Sequence, residues 1–485
     1  MRVRELKVTP YWALAMLAGA AFGALLVEAI SKSSPIVGTL ALVGIVGVGA
    51  IFLFPDMGLM LTAIVIPIER LGRFTNDESM YTVSLMRIVG MITLAAFLIH
   101  TAFRRGSLRF NLPMGIYLAY WSYGILTIFW TNDRLGGIRA ASAMLGNLLF
   151  MFLITNMVRD WATAKKMVVL WLAASVMIGL FTIYQWHSGS RGTDESALGA
   201  TSERFSTTLK DNSEWESLDQ VERALGPTSS PAVYGINMIM TLPFLFFLYR
   251  SESAAWKRMG IAASGLIVLY NIFLANTRAA IILAVLVVGV CLARGMIKIT
   301  PAVVVSSMVF LGLILIVTPS AVYHRVLDSS NYSTERSGTL RARLAYWEAG
   351  VQIASETWYR GIGIGNQATV PQYAKIEGPE FSSVHNEYLN TLLEVGVFGW
   401  LVFFSFTGVL LTYAFKAARS FRRWASTQEQ YWFMVACQVT MMAVLVFAVQ
   451  VDVYHFPLKG WWLVASMTVV MNQLASRFHS PLESA

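Results

Sequence analysis

The feature that most constrains this chain is the recurrence of apolar runs of roughly 17–22 residues, each long enough to cross the hydrocarbon of a bilayer as an α-helix. They fall near 10–30, 36–54, 83–103, 112–130, 135–157, 166–187, 230–249, 258–275, 277–293, 299–318, 386–415, 430–451 and 457–475. A shorter run at 57–68 completes a pair with the second. Together they predict about fourteen spans. Lipid offers the backbone no hydrogen-bond partner, and helices satisfy theirs internally. The expected fold class is therefore all-α: one integral membrane domain over 1–485, polytopic, with about 12–14 transmembrane helices. Composition agrees, because charged residues make up 13% of the chain, against about 25% in soluble domains. Cys291 and Cys437 both lie in apolar runs, so no disulfide framework is implied. The basic MRVRELK segment and the run after it have the form of a signal peptide. With so many spans following, they read as an uncleaved first helix.

The formal net charge of +9 has its explanation in topology, not in nucleic acid. Threading the spans alternately from a cytoplasmic N-terminus gathers the basic residues in the inner loops. These hold Arg2, Arg4 and Lys7; Arg104, Arg105 and Arg109; Arg159, Lys165 and Lys166; Arg250, Lys257 and Arg258; Arg294 and Lys298; Lys416, Arg419, Arg422 and Arg423; and Arg477. The short outer loops hold few: Lys32, Arg70, Arg73, Arg134 and Lys459. Positively charged loops stay inside, so both termini are expected in the cytoplasm. Two long connections then fall outside, at 188–229 and at 319–385. The second contains LRARLAYWEAGVQIASE, in which Leu340, Leu344, Trp347, Val351 and Ala354 share a helical face. An amphipathic helix on the outer surface is expected there.

The basic residues left over collect at one depth, the outer membrane boundary. Arg87 and Arg139 stand near the outer starts of spans, Arg223 just before a span, and Arg278 at the tight turn ANTRAA; Arg341 and Arg343 head the surface helix. Arginine matches phosphate with two parallel hydrogen bonds, so this set could grip a diphosphate at headgroup level. Arg87 and Arg139 could equally snorkel from helix ends. His385 opens the stretch HNEYLNTLLEVGVFG at the same boundary. Glu387, Asn390, Thr391 and Glu394 follow it as a polar stripe on one helix face, as intramembrane acids facing a bundle interior do. His385 is a candidate general base, tunable by a neighbouring carboxylate. GIGIGN at 361–366 lacks the dinucleotide-binding spacing and reads as a turn. Gly396 and Gly399 read as close-packing positions. No metal-ligand spacing joins the histidines.

Four stretches together resemble the O-antigen ligase superfamily, which includes O-antigen polymerases and protein O-oligosaccharyltransferases: RALGPTSSPAVYG, NTRAA, RARLAYWEAGVQIASETWYRGIGIGN and HNEYLNTLLEVGVFG. Asn276 and Thr277 stand where the family has a serine before the arginine, and Ala279 replaces a glycine. The resemblance spans most of residues 80–475, making 319–385 the family's large outer loop. It implies a glycosyltransferase of the bacterial inner membrane with its active site facing the periplasm. The donor would be a glycan on undecaprenyl diphosphate, and the acceptor a hydroxyl on lipid A core, a polysaccharide or a protein. Arg223 and Arg278 would hold the diphosphate, with Arg343 adding a contact. His385 would take the acceptor's proton and Glu387 would orient His385. No cofactor and no metal are implied. A polymerase joining lipid-linked repeats of O-antigen or exopolysaccharide is the alternative within the family. The rival class is a secondary transporter, which would show paired halves and interrupted spans near the midplane. No such halves are visible. A non-catalytic envelope scaffold would tolerate loss of the arginines.

Overall fold

The computed structural model describes residues 35–68, 84–188, 208–210, 222–228, 230–297, 312, 338–365, 384–451 and 458–477. The expected span 10–30, nearly all of 299–318 and most of both long loops lie outside the described residues. The helices are α1 (Pro35–Leu53), α2 (Pro55–Val65), α3 (Leu85–Phe103), α4 (Leu112–Thr127), α5 (Arg134–Met157), α6 (Trp161–Ser188), α7 (Pro231–Ser251), α8 (Ala255–Leu274), α9 (Arg278–Ala293), α10 (Gly338–Thr357), α11 (Glu387–Arg422), α12 (Gln428–Phe447) and α13 (Lys459–Arg477). A short antiparallel ribbon joins β1 (Thr208–Lys210) to β2 (Glu222–Ala224), with Leu209 opposite Arg223. Among the described residues, seven helices are long and apolar enough to cross a membrane. The protein is thus an all-α polytopic membrane protein. Cys291 and Cys437 are free and buried, as expected.

Polar caps start several helices where the apolar runs begin. Asn111 accepts from Met114 N, Asp133 from Gly136 N, and Ser84 from Arg87 N. Each relieves an orphan donor of a first turn. Aromatic and polar contacts then fix how the helices run. On α12, Phe433 packs its ring 5.5 Å from both Phe244 and Phe247 near the end of α7. Further along, Thr440 donates to Met240 O at 3.3 Å. α12 and α7 are therefore antiparallel. Gly235 on α7 sits against Ala280 on α9, so these two run parallel with their N-termini together. Glu387 N donates to Ala448 O at 2.8 Å, setting the start of α11 beside the end of α12. One end of the bundle thus carries the N-termini of α7, α9 and α11 and the C-terminus of α12.

The other end collects basic residues. Lys165 pairs with Glu429 at 2.6 Å. Arg250 lies 4.0 Å over the Trp432 ring and donates to Gly295 O. Arg109 is tied through its backbone to the Asn156 side chain. These are the residues that the loop-charge pattern assigned to one face.

α11 is broken nine residues from its start. Gly396 has φ 62° and ψ −174°, an extended left-handed conformation inside a helix. The break strands backbone groups that a continuous helix would pair, and the segment after α10 fills them. Val397 N donates to Trp358 O, Ile362 N to Leu393 O and Gly363 N to Glu394 O, at 2.7–2.9 Å. Gly361, Gly363 and Gly365 all have positive φ. A Cβ on Gly361 would lie 2.6 Å from Gly396 N, and one on Gly365 would lie 2.8 Å from Gly136 C. The GIGIG stretch is a turn, as expected, and its glycines are required by both backbone conformation and close approach. Gly396 is a helix break and not merely a packing position.

The amphipathic face of α10 differs from the expected one. Trp347 and Ala354 pack inward, but Leu344 and Val351 are exposed; Ala349, Gly350 and Ile353 take their place. Close approach to α11 is the reason. A Cβ on Gly350 would lie 2.9 Å from Leu389, so small side chains win this face over larger apolar ones.

Gly361→Ala adds a left-handed alanine, costing about 1–2 kcal/mol, and a backbone clash. It is expected to lower the thermal midpoint of the purified protein by several degrees, whereas Gly265→Ala, mid-helix with open space around it, should not lower the midpoint. Equal midpoints in a detergent thermal-shift measurement would contradict the docked-turn account.

Candidate functional site

The helix break positions the start of α11. His385 has φ +50°, one of three non-glycine residues with positive φ among the described residues, with Arg105 and Asn276. Histidine tolerates this region better than most residues, but the conformation is uncommon. It is over-determined on both sides. Before it, Trp347 Nε1 on α10 donates to Val384 O at 3.2 Å, and Val384 is buried with Ile353, Ile362 and Leu393. After it, Asn386 caps α11, its Oδ1 accepting from Tyr388 N and Leu389 N at 3.0 and 3.2 Å. The asparagine of the pair is thus a structural cap, and the histidine is the residue displayed. Its ring is half-buried, with the Tyr346 ring 6.3 Å away.

Arg343 stands three residues before Tyr346 on α10 and reaches the end of α12, where Nη1 donates to Gln450 Oε1 at 3.3 Å. Glu387 N meets Ala448 O in the same turn. The structure therefore brings Arg343, His385 and Glu387 together around the C-terminus of α12. The Glu387 side chain is 3% exposed, and Oε1 accepts from Thr391 at 3.4 Å. Asn390, Thr391 and Glu394 are also buried, so the polar stripe faces the bundle interior. Glu394, 4% exposed, accepts from Gly365 N at 3.1 Å and holds the glycine turn.

A second set lies at the same end: Arg278 and the strand that carries Arg223. Arg278 is the first residue of α9 and is half-buried. Arg223 lies in β2, which packs on α7 and α8 and feeds the turn into Pro231. In that turn Gly226 has φ +51° and lies under the Tyr234 ring, while Thr228 Oγ1 donates to Leu225 O. Tyr234 then anchors the segment to α8 through Asn271 at 2.7 Å. α12 links the two groups, since it packs against α7 and α9 on one side and α11 on the other. Arg87 begins α3, which packs chiefly on α1 and α2 and not on the helices that carry the others.

Two features escaped the sequence reading. Lys459 was expected in a short outer loop. It instead hydrogen-bonds the side chain of Asn147, midway along α5, beside a core in which Tyr117 packs 4.7 Å from Trp462. Asn276, passed over as a stand-in for serine, is 2% exposed with both side-chain polar atoms unpartnered. Burying such a group costs about 1–3 kcal/mol, which no spacing rule reveals.

Residues 236–404 match the O-antigen ligase family, in agreement with the resemblance to that superfamily. The match includes Arg278, Arg343, His385 and Glu387; Arg223 and Arg87 precede it. No curated protein matches the chain.

Trp347→Phe keeps an aromatic ring and removes the donor to Val384. It is expected to raise amide hydrogen exchange across 384–389 while α3 exchanges as before, because one hydrogen bond worth about 1 kcal/mol is lost. Unchanged exchange at 384–389 would show that α10 does not hold His385.

Proposed function

We propose, for this chain of the O-antigen ligase superfamily, that it is a ligase transferring a glycan from undecaprenyl diphosphate to an acceptor hydroxyl on lipid A core, a polysaccharide or a protein. The observation that carries the reading is the strained display of His385, directly before the Asn386 cap of α11, at the bundle end that also holds the N-termini of α7 and α9. The basic residues at the opposite end support a cytoplasmic assignment for that end, and with it the reading in which His385 faces the periplasm.

In this scheme the diphosphate rests on Arg278 and the first turn of α9, where backbone N–H groups directed at the helix start and the helix dipole favour an anion. Arg223 grips the same group from β2. Arg343 adds positive charge from the α12 side, and Arg87 contributes to the field from the neighbouring rim. His385 accepts the proton of the acceptor hydroxyl. The oxygen attacks the anomeric carbon, the bond from that carbon to the phosphate oxygen breaks, and undecaprenyl diphosphate leaves with its negative charge held by the arginines. Glu387, buried two residues further on beside the end of α12, orients His385. The interrupted helix α11 does not argue for a carrier. The carbonyls freed at its break accept from Ile362 and Gly363, where an ion site would leave them open.

With purified protein and a polyprenyl-diphosphate glycan, His385→Ala and Arg278→Ala should each lower transfer at least about 100-fold, the range for loss of an acid–base or charge-stabilising group, at unchanged protein level. Single addition of a preformed chain is expected. Full activity in both variants would overturn the proposal, and stepwise growth of lipid-linked repeats would make the protein a polymerase.

A further inference from the structure

Asn276, in the α8–α9 turn, has a side chain whose chemistry the scheme above leaves unused. Two other deeply buried amides in this bundle are satisfied. Five residues earlier, Asn271 accepts from Tyr234 through Oδ1 and donates through Nδ2 toward Gly179 O and Ile267 O. Asn156 is bonded to Arg109 and Phe152. Asn276 is as deeply buried, yet neither Oδ1 nor Nδ2 has a partner. Its φ of +45° explains why an asparagine or glycine stands in this turn. It does not explain an amide, since glycine would serve the turn and bury nothing polar.

The surroundings define what the amide could meet. Thr277 precedes α9 without capping it, its hydroxyl donating back to Ala275 O at 3.2 Å. The first turn of α9 and Arg278 therefore present donors. A diphosphate presents acceptors and suits them, but it has no donor to offer Asn276 Oδ1. The group that supplies a donor and an acceptor side by side, directly next to the diphosphate, is a hydroxyl pair of the sugar bonded to it.

We propose that Asn276 is a specificity residue that reads this first sugar, with Nδ2 donating to one hydroxyl oxygen and Oδ1 accepting from its neighbour. The inference rests on the donor assignment made above. A site built to hydrogen-bond a polar group discriminates strongly against a ligand lacking it, because the buried partners are otherwise left unpaired.

The test uses the full chain in nanodiscs, titrated with undecaprenyl diphosphate and with the same lipid carrying one sugar. The wild type should bind the glycosylated lipid more tightly. Asn276→Gly, which accommodates the left-handed turn, should weaken that ligand at least about tenfold, one good hydrogen bond to a buried group, and leave the bare lipid unchanged. Asn276→Asp, which keeps the shape, loses the donor and adds a negative charge, should weaken both. Arg278→Ala should weaken both as well. A glycine or aspartate variant that keeps wild-type affinity for the glycosylated lipid overturns the inference, as does an equal loss of both ligands in the glycine variant. A wild type that binds neither lipid overturns the donor assignment itself.

Discussion

The interaction on which the rest of the structure depends is the seating of residues 358–363 in the break of α11. A helix interrupted inside an apolar bundle leaves carbonyls and N–H groups that lipid cannot satisfy. Here Trp358, Ile362 and Gly363 supply the missing partners through their own backbones. The exchange ties the segment after α10 to the membrane helix by hydrogen bonds with little freedom, because glycines at Gly361 and Gly396 leave no room for side chains between the two strands of chain. Ile364 N extends the tie to Thr127 on α4, and Gly365 N to Glu394.

That seating sets what lies above it. With the turn docked, α10 lies along the first turns of α11, Trp347 reaches Val384, and His385 is held in a conformation it would not adopt in a free loop. The buried stripe Glu387, Asn390, Thr391 and Glu394 then divides its work. Its lower member holds the glycine turn, and its upper member lies beneath the histidine at the end of α12. A polar stripe that costs burial energy is thus partly structural, with the displayed residue at its top.

Much of this was legible in the residues. Apolar runs located the helices within a few positions, and loop charges matched the end of the bundle where Lys165, Arg250 and Arg109 lie. The stripe on α11 was readable from helical spacing. What was not legible depended on tertiary contact. Gly396 and Gly361 looked like a packing glycine and a turn glycine, and only their mutual approach shows why both must be glycine. The face of α10 was misjudged because apolar size was weighed above close approach, so Leu344 and Val351 were expected inward where Ala349 and Gly350 lie. Lys459 was counted as a loop charge, since nothing in its neighbours marks the reach to Asn147. Arg87 was grouped by depth alone, and its helix packs chiefly on α1 and α2.

The central claim is that the end formed by the starts of α7, α9 and α11 and the close of α12 is where the lipid diphosphate binds. An electron cryo-microscopy structure of the protein in nanodiscs with undecaprenyl diphosphate tests it most directly. The account predicts diphosphate density against Arg278 and the first turn of α9, on the side facing His385. Density seated elsewhere, along α3 or at the opposite end beside Arg250 and Arg294, would contradict it.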